Sequence, residues 1–451
     1  MSVVTQLKPQ PAQSPKDLYE IGEIPPLGHV PERMYAWAIR KDRHGPPDTS
    51  MQIEVVPTWP IGDDEVLVFV MAGGVNYNGI WAGLGQPISP LDVHKNPFHV
   101  AGSDAAGIVW AIGSKVRRWK VGDEVIVHCN QDDGDDEECN GGDPLLSPSQ
   151  RVWGYETPDG SFAQFCRVQS RQLMQKPRHL TWEESACYTL TLATAYRMLF
   201  GHPPHTLKPG DNVLVWGAAG GLGIFAIQLC KVLGANPIAI VSSPDKIDLV
   251  RKLGAEMILN RKDFGFAWRP HETPEEAKKR LDEMKRFGGE IRKLTGGKDP
   301  DVVFEHVGQE TFPTSVFVCK RFGKVVICGA TSGFNLEFDV RYLWMRQKEI
   351  LGSHFANAYQ AERANELVLT GRSAAALDAL AASLAETPGG AVDTVAVDPV
   401  ETDDPTGAGD TFAGGFLGAW LAGAAPPIAV KAGAAAARAM LAARALSTGP
   451  G

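Results

Sequence analysis

The segment NVLVWGAAGGLGIFAIQLCKVLG, Asn212 to Gly234, restricts what this chain can fold into more than any other stretch. An apolar run of strand length enters a turn carrying Gly217, Gly220, Gly221 and Gly223, and apolar residues at helical spacing leave it. A glycine turn between a buried strand and a helix is where the phosphates of a dinucleotide meet a helix N-terminus. On that reading Gly217 permits the turn and Gly220 and Gly221 let the backbone approach a pyrophosphate. Gly223 then allows the helix to pack closely on the sheet. The rhythm continues with PIAIVSS as a strand, KIDLVRKLGA as a helix, and VVFEHVG and GKVVICGA as further strands. Such alternation predicts an α/β fold, a parallel doubly wound Rossmann sheet over residues 206–353. Within it TPEEAKKRLDEMKRFGGEIRKLTG, with Thr273 as N-cap and Pro274 at the first helical position, predicts a charged surface helix.

The strand after the glycine turn ends in VSSPDK. An acidic residue there would bind the ribose 2′-hydroxyl of NAD. Ser242, Ser243 and Lys246 offer donors and positive charge to a 2′-phosphate instead, so the expected cofactor is NADPH.

Upstream, residues 34–205 read differently. VLVFVMAGGVNYN, AAGIVWAIG, VGDEVIVHC and SFAQFCRV are short apolar runs punctuated by glycine, the pattern of a β-rich domain. The acidic stretch QDDGDDEECNGGD, Gln131 to Asp143, misses the spacing of an EF-hand and is expected to be a solvated loop. With 451 residues the chain suits two domains, preceded by a polar, proline-rich extension over residues 1–33. A formal charge of −9 without Lys/Arg clusters argues against nucleic acid as a partner. Seven cysteines with no CxxC pair fit a reducing cytoplasm and offer no four-cysteine zinc site. No run of 18 apolar residues is present, so no membrane partner is expected.

Taken together, AGSDAAGIV, VGDEVIVHCN, RVWGYETPDGSFAQFCRVQSRQL, LTLATAYRMLFG, WGAAGGLG, VFEHVG and RYLWMRQKEILGSHFAN resemble the crotonyl-CoA carboxylase/reductases of the medium-chain dehydrogenase/reductase superfamily, over residues 20–368. The resemblance implies a GroES-like β-rich catalytic domain followed by the Rossmann domain, with residues 354–451 returning to the catalytic domain. It further implies a homo-oligomer, dimer or tetramer, that converts crotonyl-CoA, CO2 and NADPH to ethylmalonyl-CoA. Where zinc dehydrogenases of the superfamily carry a His-Glu pair, this chain reads GSDAAG, so no metal is expected. Without a Lewis acid an alcohol is a poor substrate, whereas a C=C conjugated to a thioester accepts hydride at Cβ and leaves an enolate. The resemblance assigns a CO2 pocket to Asn78, Tyr155, Glu156 and His354. Asn78 would donate through its amide and Tyr155 through its backbone N–H, while Glu156 and His354 would fix an ordered water. Thr194 falls near the nicotinamide, and Arg341 and Tyr342 toward the CoA end. The alternatives are an enoyl-thioester reductase that protonates its enolate, a protein that only binds NADPH, and a sugar phosphotransferase.

The last of these comes from the tail. After Val368 the composition turns alanine-rich, and DDPTGAGDTFAGGFLGAWLAG, Asp403 to Gly423, resembles the C-terminal signature of ribokinase-type sugar kinases. There the GAGD turn forms an anion hole, and Asp410 would be the base for a sugar hydroxyl. The match spans only residues 393–445, without the sheet and sugar lid a kinase needs, so no phosphoryl transfer is expected from it.

Overall fold

The computed structural model describes residues 15–369, so the kinase-like signature and Asp410 lie outside the described residues. The described chain packs as two compact units. One runs up to Asp133 and resumes over Pro148–Cys187; the other joins Gly134–Ser147 to the chain from Tyr188 onward.

The first unit is antiparallel. Strands β1 (Arg33–Ile39), β2 (Met51–Pro57) and β4 (His99–Val100) make a sheet of order β2-β1-β4. Strands β3 (Glu65–Gly74), β5 (Asp104–Ile112), β6 (Glu124–Val127), β9 (Phe165–Gln169) and β10 (Leu173–Gln175) make a second, of order β10-β6-β5-β3-β9. A short ladder pairs β7 (Asn130–Gln131) with β8 (Arg151–Val152). Because side chains alternate across a strand, β3 feeds two cores at once. Leu67 and Phe69 pack with Phe98, Trp110 and Phe165 on one face, while Val66 and Val68 pack with Val109, Val125 and Trp153 on the other. The near-continuous apolar run VLVFV is thus explained by burial on both faces.

The second unit holds six parallel strands: β11 (Asn212–Val215), β12 (Asn236–Val241), β13 (Met257–Asn260), β14 (Val302–Glu305), β15 (Lys324–Ile327) and β16 (Glu349–Gly352). Their order, β13-β12-β11-β14-β15-β16, reverses direction between β11 and β14. That is the topological switch point at which doubly wound sheets bind ligands. The Rossmann sheet expected from the alternating pattern is therefore present.

Helix Pro274–Leu294 starts as its sequence predicts. Thr273 and Glu276 form a reciprocal capping box and Pro274 opens the helix. It is less of a surface element than its charge suggests. Met284, Phe287 and Ile291, at helical spacing, enter the core beside Trp216, Phe264 and Phe266. Trp216 and Phe287 stack with ring centroids 5.6 Å apart. No helix among the described residues is long and apolar enough to cross a membrane.

Gly289 lies in the interior of this helix with nothing within 4 Å of where a Cβ would stand. Gly289→Ala is expected to raise unfolding stability by about 0.5–1 kcal/mol, because it lowers the entropy of the unfolded chain at no steric cost. Chemical denaturation checks this; a loss of stability would contradict the geometry.

Candidate functional site

Strand β11 ends at Val215, and the chain turns immediately. Gly217 takes φ 54°, and a Cβ there would lie 2.7 Å from the His306 ring. A Cβ on Gly223 would lie 2.4 Å from the Gly217 carbonyl oxygen, so strand end and helix start are in backbone contact. Gly220 is the N-cap of helix Gly221–Leu233, whose first intrahelical bond runs from Ile224 N–H to the Gly220 carbonyl at 3.1 Å. The N–H groups of Gly221, Leu222 and Gly223 therefore precede the ladder and are left for an anion at the positive end of the helix. A bulkier residue at Gly221 would press on Thr191, at 3.3 Å.

Beneath the turn lies a polar network that sequence reasoning missed. Glu305, the last residue of β14, is fully buried. Its carboxylate accepts the N–H groups of Val307 (2.8 Å) and Gly308 (3.2 Å) and the hydroxyls of Thr311 (3.0 Å) and Ser315 (2.5 Å). Burial pushes its carboxyl above the ordinary range, and these donors, Ser315 first, pull against that shift. Ser315 also accepts the indole N–H of Trp216 at 2.8 Å. The Trp216 carbonyl in turn lies 3.0 Å from His306 Nε2, which must donate, since a carbonyl only accepts. Trp216 immediately precedes Gly217, so the network fixes the residue from which the turn springs. The one signal for it in the sequence was a Glu-His pair closing an otherwise apolar strand.

At the end of β12, Lys246 Nζ donates to Ser242 Oγ at 3.2 Å, and Ser243 stands in extended backbone just before the short 3-10 turn Pro244–Lys246, without a side-chain capping bond. Thr194, buried in helix Thr189–Phe200, donates its hydroxyl back to the Leu190 carbonyl at 2.8 Å. Arg341 is exposed and paired with Asp339 at 2.6 Å. Tyr342 turns its ring onto Phe317, with centroids 4.9 Å apart, and joins the core.

His354 follows β16 and keeps an exposed imidazole, edge-on to Phe355 with centroids 4.2 Å apart. Partial desolvation, and then the charge of Arg197, hold its pKa below the usual histidine range. Arg197 is itself buried and donates to Asp143 (2.7 Å) and Gln360 (3.0 Å). Asp143 also accepts from Asn357 Nδ2 at 3.0 Å. Burial alone would raise the Asp143 carboxyl, but Arg197 and Asn357 outweigh it and the net shift is downward. This corrects the expectation of a solvated loop over Gln131–Asp143. Asp133, Asp135 and Glu137 do face water, yet Asp132 is buried and Asp143 compensates a buried arginine.

The first unit places Asn78 and the Tyr155–Glu156 pair around one segment, Gly102–Ser103. Asn78, in helix Tyr77–Leu84, has its amide 3.5 Å from Ser103 Oγ. Gly154 takes φ 74° and lies so close to Gly102 that a Cβ would stand 2.0 Å from its carbonyl oxygen. The turn is anchored by fully buried Trp153, whose indole N–H reaches the carbonyls of Asp159 (3.1 Å) and Arg167 (3.0 Å). The Tyr155 hydroxyl donates to the Gln86 carbonyl at 2.8 Å, and burial raises its pKa. Glu156 accepts the Val152 N–H at 2.7 Å. One expectation needs correction. The Tyr155 N–H is not vacant but donates to the Val152 carbonyl at 3.1 Å, sharing that oxygen with the Glu156 N–H at 2.7 Å.

A family model described as an alcohol dehydrogenase GroES-like domain matches residues 62–178, and one described as a zinc-binding dehydrogenase matches residues 221–370. A third, the pfkB family of carbohydrate kinases, matches residues 360–449. The chain is 66% identical to a crotonyl-CoA carboxylase/reductase from Cereibacter sphaeroides over 79% of its own length and 84% of the relative's. A solved structure of a crotonyl-CoA carboxylase/reductase matches with a TM-score of 0.77 at 67% identity, covering 79% of this chain and 84% of that one. Another, the crotonyl-CoA carboxylase/reductase AntE in complex with NADP, matches with a TM-score of 0.75 at 43% identity, over 83% and 97% of the two chains.

Gly223→Ala is expected to weaken NADPH binding about tenfold or more, since a methyl group 2.4 Å from the Gly217 carbonyl oxygen forces the helix N-terminus away from the phosphates. Fluorescence titration of the cofactor measures this. Unchanged affinity would show that the close approach does not matter.

Proposed function

The chain belongs to the crotonyl-CoA carboxylase/reductase family, and on that premise we propose that it reduces and carboxylates an enoyl-CoA, turning crotonyl-CoA and CO2 into ethylmalonyl-CoA with NADPH. The observation that carries the reading is the grouping of the Asn78 amide and the Tyr155–Glu156 turn around Gly102–Ser103. NADPH supplies hydride to Cβ of the thioester. The residues decide what becomes of the enolate that remains.

In water the enolate would simply take a proton, so carboxylation needs CO2 held against Cα, with donors aimed at the oxygens that gain charge. We assign the CO2 contacts to Asn78, Tyr155, Glu156 and His354. Asn78 brings an amide NH2 that can leave its long contact with Ser103 without breaking a strong bond. Glu156, anchored through the Val152 N–H, cannot donate when ionised and acts by orienting water. The lowered pKa of His354 keeps its imidazole neutral at pH 7, so it can both accept from and donate to such a water.

For the cofactor we assign the phosphates to Gly217, Gly220, Gly221 and Gly223, the 2′-phosphate to Ser242, Ser243 and Lys246, and the nicotinamide end to Thr194. Arg341 and Tyr342 are assigned to the CoA end; Arg341 would have to divide its charge between Asp339 and the ligand. Residues 34–205 then form the catalytic domain and residues 206–353 the cofactor domain of a cytoplasmic homo-oligomer, a dimer or tetramer.

Asn78→Ala and His354→Ala are each expected to shift product from ethylmalonyl-CoA to butyryl-CoA by roughly five- to tenfold, the value of one hydrogen bond, while NADPH oxidation continues. Chromatographic product ratios under saturating CO2 test this. A proportional loss of both products in both variants would remove the assignment.

A further inference from the structure

The link from strand β16 to helix Ala358–Leu369 is short, Ser353 to Asn357, and His354 lies in it. Its first residue is tied to the sheet, where the Ser353 N–H donates to the Ile327 carbonyl at 2.8 Å. Its last residue caps the helix. Asn357 Oδ1 accepts the Gln360 N–H at 2.9 Å, the Asn357 N–H donates to Gln360 Oε1 at 3.3 Å, and the Asn357 carbonyl accepts the Ala361 N–H at 3.0 Å. Between the two ends Phe355 and Ala356 are buried, while the exposed imidazole of His354 has no hydrogen-bond partner among the described residues. Where it stands is therefore decided by the two ends of the link and by the edge of Phe355.

The far end is held by more than a cap. Asn357 Nδ2 donates to Asp143 Oδ1 at 3.0 Å, and Arg197 donates from one terminal nitrogen to Asp143 Oδ2 at 2.7 Å and from the other to Gln360 Oε1 at 3.0 Å. Asn357, Asp143, Arg197 and Gln360 thus close a ring of hydrogen bonds, with Gln360 returning to Asn357 through the cap. The fold leaves room for this ring on purpose of shape: Gly201 follows helix Thr189–Phe200, and a Cβ there would stand 2.7 Å from Arg197 Cγ and 2.9 Å from Gln360 Nε2. The buried Tyr188 hydroxyl donates to Asn365 Oδ1 at 2.6 Å, so the two helices are fixed along each other at a second point. Arg197 is buried, and its charge would be costly without a carboxylate beside it. Asp143 answers Arg197 with one oxygen and holds Asn357 with the other.

We propose that Asp143 and Arg197 are positioning residues for His354, acting through Asn357: the buried ion pair sets the end of the link, and the link sets the imidazole that takes part in carboxylation. The inference rests on the role given to His354 above. With Asn357 released from Asp143, the cap still starts the helix but no longer ties the link to helix Thr189–Phe200. A displacement of about 1 Å is enough to take a hydrogen-bonding group off line. The glycine turn after β11 is held by Ser315 and Trp216 instead, so the delivery of hydride does not depend on this ring.

The test compares Asn357→Ser and Asp143→Asn with the parent protein, using the full chain with crotonyl-CoA, NADPH and CO2. Serine keeps an oxygen for the helix cap and loses the donor to Asp143. Each variant should raise the KM for CO2 and lower the ratio of ethylmalonyl-CoA to butyryl-CoA about three- to tenfold, the value of one hydrogen bond, with kcat for NADPH oxidation within about twofold of the parent. If Asp143→Asn does not fold because Arg197 has lost its counter-charge, Asn357→Ser carries the test. The deciding measurement is a double-mutant cycle: in a His354→Ala background, Asn357→Ser should change the ratio no further. Three results would each overturn this inference alone: an unchanged ratio in folded Asn357→Ser where His354→Ala shifts it, an Asn357→Ser effect of equal size in both backgrounds, or a proportional loss of NADPH oxidation and carboxylation. A parent that makes only butyryl-CoA, or a His354→Ala variant with the ratio of the parent, would overturn the reading under Proposed function and this inference with it.

Discussion

Glu305 is a carboxylate removed from water and held by hydrogen-bond donors of its own neighbourhood, and the cofactor turn stands on it. Removing such a group from solvent is costly unless every lone pair is engaged, and here two backbone N–H groups and two hydroxyls engage it. One of those hydroxyls, Ser315, also holds the indole of Trp216, so the ends of β14 and β11 are tied on either side of the point where the sheet reverses. From Trp216 the chain can only enter the Gly217 turn, and backbone contact between Gly217 and Gly223 sets the direction of the helix. The turn proposed to hold the phosphates therefore follows from a buried polar network one layer below it.

The first unit uses a different device for a similar end. Its candidate site is walled by backbone rather than by side chains. Gly102, Gly154 and Gly160 approach one another so closely that a Cβ on Gly154 or Gly160 would collide with a carbonyl oxygen, at 2.0 Å and 2.5 Å. A wall of packed peptides has little room for water and few ways to move. Both properties favour trapping an enolate with CO2 over protonating it. The side chains of this unit assigned to CO2 are then few: an amide and a carboxylate on a backbone N–H.

Much of this was legible in the sequence, and the parts that were not share a cause. The parallel sheet, its glycine turn and the cap at Thr273 are local patterns, set by residues within a few positions of one another. The charge density of Gln131–Asp143 read as solvation because nothing nearby revealed that Asp143 would meet Arg197, fifty-four positions away and buried. The packing of Tyr342 on Phe317 was not legible because that aromatic partner lies on a separate helix. The bond from the Tyr155 N–H to the Val152 carbonyl was not legible because the hydrogen bonds of an irregular turn leave no periodic trace.

The central claim is that hydride and CO2 reach the two carbons of one double bond in a single turnover. Crotonyl-CoA supplied with NADPH deuterated at the transferring position of C4 and with carbon-13-labelled CO2 tests it directly by mass spectrometry. The account predicts ethylmalonyl-CoA carrying both labels in the same molecule, deuterium at Cβ and carbon-13 in the new carboxylate. Deuterated butyryl-CoA free of carbon-13 as the main product under saturating CO2 would contradict it.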